Sequence, residues 1–188
     1  MSFRTTCLVV GAVASLASCT DQPATTTPPA AAAPSPAATP PAATPATTRY
    51  AGEYRWRVAD KADMGGTLTV YPESDSTILF DLDSNSGEPA YNMAGAFGRA
   101  HLRGDTATYF GKAPEDEYGC RLKIGFSPQA ATVILVNRGQ NDCYFGNSFT
   151  PEATYRRTSH TIPQWVISEG SDTLHFAHLP PDALKDSH

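Results

Sequence analysis

Cys120-Arg121-Leu122-Lys123-Ile124-Gly125-Phe126-Ser127-Pro128-Gln129-Ala130-Ala131-Thr132-Val133-Ile134-Leu135-Val136 is the stretch whose pattern decides the fold. Cys120, Leu122, Ile124 and Phe126 alternate with Arg121 and Lys123, the period of an extended chain with one dry and one wet face. Ser127-Pro128 supplies a turn, and residues 132–136 are apolar on both faces. A β-hairpin is predicted.

The same period recurs on either side. Tyr50, Gly52, Tyr54, Trp56 and Val58 fall on one face, with Arg49, Glu53, Arg55 and Arg57 on the other. Leu68 and Val70 alternate with Thr67 and Thr69 after a turn expected at Gly65-Gly66, and Ile78, Phe80 and Leu82 alternate with Leu79, Asp81 and Asp83. Residues 84–87 turn the chain. Gly95 and Gly98 in the run 91–103 predict a bulge or a sharp bend, and residues 106–110 and 153–157 read as further strands. No clean helical stripe precedes Pro180. The expected fold is an all-β antiparallel meander of about eight strands. A closed barrel is favoured over a sandwich, because pairing the first strand with residues 153–157 removes both edges. Residues 162–167 and 173–177 read as a C-terminal hairpin, and residues 180–185 could add one helical turn.

The 188-residue chain carries a net charge of −5 with pI about 5.4, which leaves no electrostatic footprint for a phosphate backbone and excludes nucleic acid as the main partner. At the N-terminus, Arg4 precedes the apolar run CLVVGAVASLA, the pattern of an export signal. Its end, Leu16-Ala17-Ser18-Cys19, resembles the bacterial lipobox. That resemblance implies a signal peptide over residues 1–18 and a lipidated Cys19 at the mature N-terminus, holding the chain on a membrane without a spanning helix. Thr20 stands where an Asp would mark inner-membrane retention, so the resemblance favours the outer membrane of the cell envelope. Residues 19–48 follow as a tether: 26 of the 29 residues from 20 to 48 are Ala, Thr or Pro, too poor in core formers to fold and suited to extended polyproline conformation. The expected organisation is then a barrel-like domain over residues 49–158 and a hairpin extension with tail over 159–188.

With Cys7 leaving in the signal and Cys19 lipidated, Cys120 and Cys143 remain as a pair in an oxidising compartment, and a disulfide is expected. A zinc pair is the alternative, but no CxxC or Cys/His cluster surrounds either residue. The pattern from Cys120 to Tyr155, with CYFG between hairpin and last strand, resembles small exported bacterial β-domains that include lysozyme-inhibitor-like proteins. In those a cysteine-linked hairpin precedes a closing Gly-x-Tyr strand. Glu152-Ala153-Thr154-Tyr155 lacks that glycine, so no inhibitory residue is carried over.

Chemical motifs are sparse: there is no GxSxG, HExxH, GxGxxG or P-loop, and no cofactor is called for. Asp81-Leu82-Asp83-Ser84-Asn85-Ser86-Gly87 has the alternating oxygens of a calcium loop, but Ser86 stands where glycine is needed and Asn92 where a bidentate Glu belongs, so a strand end with a turn is the better reading. Glu115-Asp116-Glu117 reads as a solvated acidic loop. His175 and His178, three apart on an expected strand, face opposite ways and make no metal pair. Recognition is expected from aromatic rings instead. Tyr109, Tyr144 and Trp165 are the candidate ligand-binding residues, Tyr109 and Tyr144 being taken as the solvent-side members of Tyr109-Phe110 and Tyr144-Phe145. The functional expectation is a non-enzymatic binding module for a cell-wall glycan, a peptide or an envelope protein. An envelope enzyme built on a carboxylate such as Asp81 or Asp83 is the rival.

Overall fold

The computed structural model describes residues 44–145, 149–167, 173–179 and 184. The leader, Cys19, most of the tether and nearly all of the expected C-terminal turn at 180–185 lie outside these. A 3₁₀ turn, Ala46–Tyr50, leads into eight strands: β1 Gly52–Val58, β2 Lys61–Pro72, β3 Thr77–Asn85, β4 Met93–Arg103, β5 Thr106–Gly111, β6 Cys120–Ser127, β7 Ala130–Leu135 and β8 Thr154–Ser159. They form a closed antiparallel barrel in chain order, and β8 returns to β1 with Tyr54 opposite Arg157 and Arg55 opposite Arg156. Two short strands, β9 Trp165–Ile167 and β10 Thr173–His175, make the separate hairpin. The all-β meander, its closure and the terminal hairpin are as the alternation predicts.

Alternate residues of every strand point inward and fill the barrel. Tyr54, Leu68, Val70, Ile78, Phe80, Leu122, Ile124 and Tyr155 are all fully buried, so the interior is a packed core rather than a ligand cavity. A second apolar cluster lies outside the barrel. Leu79, Tyr71 and Phe97, on the outer faces of β3, β2 and β4, are covered by Val166, Leu174 and Phe176 of the hairpin region, with the Tyr71 and Phe176 rings stacked at 5.1 Å.

Several local expectations change. The first hairpin turns at Ala59-Asp60, with Val58 opposite Lys61; Gly65 and Gly66 lie inside β2. Their role is clearance, since a Cβ on Gly66 would stand 2.0 Å from the Ser84 hydroxyl and 2.7 Å from Trp56 Nε1. Gly95 and Gly98 likewise make no bulge: β4 pairs with β3 in unbroken register from Met93 to His101, and Gly98 makes room for the Tyr109 ring. The chain expected to be tether is structured as far back as the 3₁₀ turn, where Thr47 is fully buried and its hydroxyl donates to the Ser74 carbonyl at 2.6 Å. After His175 the chain coils into a 3₁₀ turn, Phe176–His178, so His175 and His178 do not share an extended segment.

The meander gives the barrel two different ends. At one, the strands are joined by residues 73–76, 104–105 and 128–129, and the Ala46–Tyr50 turn covers the opening. At the other, residues 59–60, 86–92, 112–119 and 136–153 make the connections.

Candidate functional site

The long-loop end is braced around the cysteine pair. Cys120 opens β6 and Cys143 lies in the connection to β8; their sulfurs stand at bonding distance, 2.19 Å, with Cα atoms 4.4 Å apart. Beside the pair, Asp142 Oδ2 accepts the backbone N–H groups of Tyr118 at 2.5 Å and Gly119 at 2.8 Å. Asp116 ties the same two loops from the other side, accepting the Ala113 N–H at 2.8 Å on Oδ2 and the Tyr144 hydroxyl at 2.6 Å on Oδ1. Gly119 has a positive φ of 72° and no room for a side chain, because a Cβ would sit 2.7 Å from both the Gly111 carbonyl and the Phe110 ring. The Arg121 guanidinium lies 4.5 Å over that ring's centroid. The result is a rim that holds Phe110, at the end of β5, and Tyr118 and Tyr144, on loops that a covalent bond and two buttressing carboxylates keep in place, at 52%, 36% and 65% exposure.

Asp116 is therefore not a solvated acid. It is 6% exposed and acts as an internal acceptor. Its bond is the leading reason that the Tyr144 phenol is pushed up to about 12, with desolvation and the nearby Asp142 and Glu115 charges adding to it. The phenol stays a donor across the physiological range.

Of the three rings expected to bind, Tyr144 and Trp165 are exposed and Tyr109 is not. The assignment within Tyr109-Phe110 is reversed: Tyr109 points into the barrel at 6% exposure, edge-on to Phe80 at 5.1 Å, and Phe110 faces solvent. The cause is parity. Thr106 and Thr108 share a face with Phe110, while Ala107 shares one with Tyr109, and Gly98 and Gly111 leave space for the larger ring inside. Burial also raises the Tyr109 phenol, helped by the Asp116 charge. Polarity of the hydroxyl misleads here, and the two threonines carry the signal that would have found Phe110. Trp165 belongs to another surface, on β9 in the hairpin that packs over β2–β4. The structure thus groups Tyr144 with Phe110 and Tyr118.

A cleft of about 180 Å³ lies on the outer side of β1, β2 and β3, lined by Arg55, Arg57, Asp63, Gly65, Thr67 and Asp83 among others. No motif marked it, because its residues come from three strands and become neighbours only through register. Asp83 lines this cleft. Asp81, two residues earlier on the same face of β3, is pushed up to about 6, first by burial and then by the Asp83 charge. Its cross-strand neighbours are Thr69 and Phe97, at the edge of the outer apolar cluster. The stretch weighed as a calcium loop is the end of β3 and its turn, where Asn85 Oδ1 accepts the Gly87 N–H and Ser86 Oγ accepts the Asn92 N–H. Among the described residues no group of three or more His, Cys, Asp or Glu side chains is arranged to hold a metal ion.

No protein-family model matches the chain, and no curated protein or solved structure shows significant similarity to it.

Proposed function

We propose that this protein is a lipid-anchored lipoprotein of the bacterial envelope, favouring the outer membrane, whose barrel is a non-enzymatic binding module. It captures a cell-wall glycan, a peptide or an envelope protein through the ring-bearing rim. The observation that carries this reading is the rim itself. Phe110 is exposed at the end of β5, and Tyr118 and Tyr144 are exposed on loops fixed by the Cys120–Cys143 pair and by Asp116 and Asp142, so the three rings meet a partner with little ordering cost. The filled barrel interior supports binding at the surface rather than inside. The leader and Cys19 supply the anchor, and the Ala/Thr/Pro tether the reach.

The test is capture from envelope extract and on purified wall fragments by the full-length protein, comparing wild type with Phe110→Ala/Tyr144→Ala. Tyr144→Ala also removes the hydroxyl that Asp116 accepts, so circular dichroism checks that the double variant is folded and Tyr144→Phe serves as the control that loses this bond but keeps the ring. Affinity drops about tenfold or more in the double variant and not in Tyr144→Phe. Undiminished capture by the folded double variant defeats the rim as the binding surface. Metabolic labelling with an alkyne fatty acid marks the wild type and not Cys19→Ser. Turnover of a wall-derived substrate that is lost in Asp83→Asn, or in Asp81→Asn, would establish the enzyme instead.

A further inference from the structure

The cleft over β2 has an unusual distribution of charge. Register places Arg55, Thr67 and Asp83 in one row across β1, β2 and β3, and Arg57, Gly65 and Asn85 in the next. Neighbouring strands lie about 4.8 Å apart, so each row sets a guanidinium arm and a short polar side chain on strands about 10 Å apart, with only threonine or glycine between them. Both guanidiniums are on β1. Asp83 and the Asn85 amide are on β3, and Asp63 joins them from β2. These opposite charges do not close on one another. Arg55 turns along its own strand to Glu53 at 3.7 Å, Asp63 accepts the Tyr91 hydroxyl at 3.3 Å, and neither Arg57 nor Asp83 makes an ion pair among the described residues. Arg156, directly opposite Arg55 across the β1–β8 seam, adds a third guanidinium to the positive side. Like charges placed opposite on a sheet are unfavourable unless an anion joins them.

We infer that this cleft is a binding site for a small zwitterion, a free amino acid or a dipeptide, with its carboxylate on Arg55 and Arg57 and its ammonium on Asp83 and Asp63. The volume of about 180 Å³ is below the range of roughly 300 to 1,000 Å³ that encloses drug-sized ligands, and fits one or two residues. The Thr67 hydroxyl and the Asn85 amide are neutral groups suited to a peptide bond. A sugar fits less well, because charged groups dominate the lining; Trp56, its one aromatic residue, is half-buried, donates from Nε1 to the Ser84 hydroxyl at 3.2 Å and meets the Tyr155 ring edge-on. The site lies on β1–β3, away in sequence from the loops after β5 and β7, and does not depend on the rim being used.

Isothermal titration of the full-length protein with four probes tests the inference: dialanine, N-acetyl-dialanine, dialanine amide and phosphoethanolamine. Dialanine binds saturably, and each singly blocked form binds about tenfold more weakly, the loss of one charge-assisted contact. Arg57→Gln weakens dialanine to the level of the amide and leaves the amide itself unaffected. Asp83→Asn weakens dialanine to the level of the acetylated form and leaves that form unaffected. Both residues are exposed, and circular dichroism checks that the variants fold; Arg55→Gln provides a second probe of the positive wall. Blocked forms that bind as well as dialanine overturn the inference, as do variants that bind like wild type or no saturation by about 10 mM. Phosphoethanolamine binding as tightly as dialanine overturns the peptide assignment in favour of a lipid headgroup.

Discussion

The two ends of the barrel solve the same problem by different means. Both seam strands carry near their start a buried tyrosine whose hydroxyl donates to the carbonyl four residues upstream: Tyr54 to Tyr50 at 2.7 Å, and Tyr155 to Pro151 at 2.8 Å. Because β1 and β8 are antiparallel, these two anchors sit at opposite ends. Beyond them the resemblance stops. At the short-turn end a single non-covalent plug closes the opening. Tyr50 stacks on Phe126 at 4.7 Å and donates to Asp105 and to the Gly104 carbonyl, and Arg157 reaches from β8 to the carbonyls of Arg49 and Ala51. At the long-loop end a covalent bond and two carboxylates hold loops that stay at the surface with their rings outward. One end is covered by a single turn; at the other, Cys143, Phe145 and Ala153 pack onto the core while the Tyr118 and Tyr144 rings stay outward.

The sharpest way to break this contrast is to remove the plug. Tyr50→Ala loses a 5%-exposed ring and its hydrogen bonds, and costs about 3 to 4 kcal/mol. For a domain of this size that lowers the thermal midpoint by about 10 °C, read by scanning calorimetry on the oxidised protein. A midpoint within a degree or two of wild type would show that the turn rests on the barrel without sealing it.

Reducing the Cys120–Cys143 pair attacks the opposite end. The loop it closes spans a sequence separation of 23, for which chain entropy gives about 3 kcal/mol. Reduction lowers the midpoint by several degrees and also weakens partner capture, since the rim loses its brace. The Tyr50 variant, by contrast, affects capture only through loss of fold. Two free thiols titrated in the oxidised protein would remove the basis for the comparison.

A finer measure of the plug comes from Thr47→Val, which keeps the shape but leaves the Ser74 carbonyl without its donor. It costs about 1 to 2 kcal/mol by urea titration, where an exposed threonine would cost nothing measurable.

How much of this was legible in the sequence follows from what each feature depends on. Alternation in residues 120–136 and 50–58 fixes which side chains are inward, so the strands, their meander order and the β8–β1 closure could all be read. The plug could not, because Thr47 sits in a composition of Ala, Thr and Pro that elsewhere signals a tether, and only the register of distant strands gives it a pocket. Gly65, Gly66 and Gly98 were misplaced for a related reason. A strand glycine reads as turn or bulge until the Trp56 and Tyr109 rings it accommodates are known. On the candidate site, Tyr144 was identifiable as an exposed ring, Phe110 was hidden by the assumption that a hydroxyl belongs in water, and the cleft was invisible because register alone unites Arg57, Gly65 and Asn85.

The smallest effect separates the outer apolar cluster from both ends. Asp81 lies at the margin of that cluster, and burial raises its carboxyl to about 6 from an ordinary 3.8, with Asp83 adding to the rise. Between about pH 4 and pH 6 the folded chain therefore holds more protons than the unfolded chain. Stability from this group is greatest below about pH 4, declines as pH rises to about 6, and is level above that. Glu73 works in the opposite direction: its bond to Arg99 holds its carboxyl low, so it contributes stability that is lost as pH falls. The two slopes overlap in the wild type, and Asp81→Asn separates them. The variant gains on the order of 1 kcal/mol over wild type at about pH 7, and the gain shrinks toward zero as pH falls to about 4. Paired urea titrations at those two pH values give the difference directly, and a difference that does not change with pH would mean that Asp81 ionises as freely in the folded protein as in water.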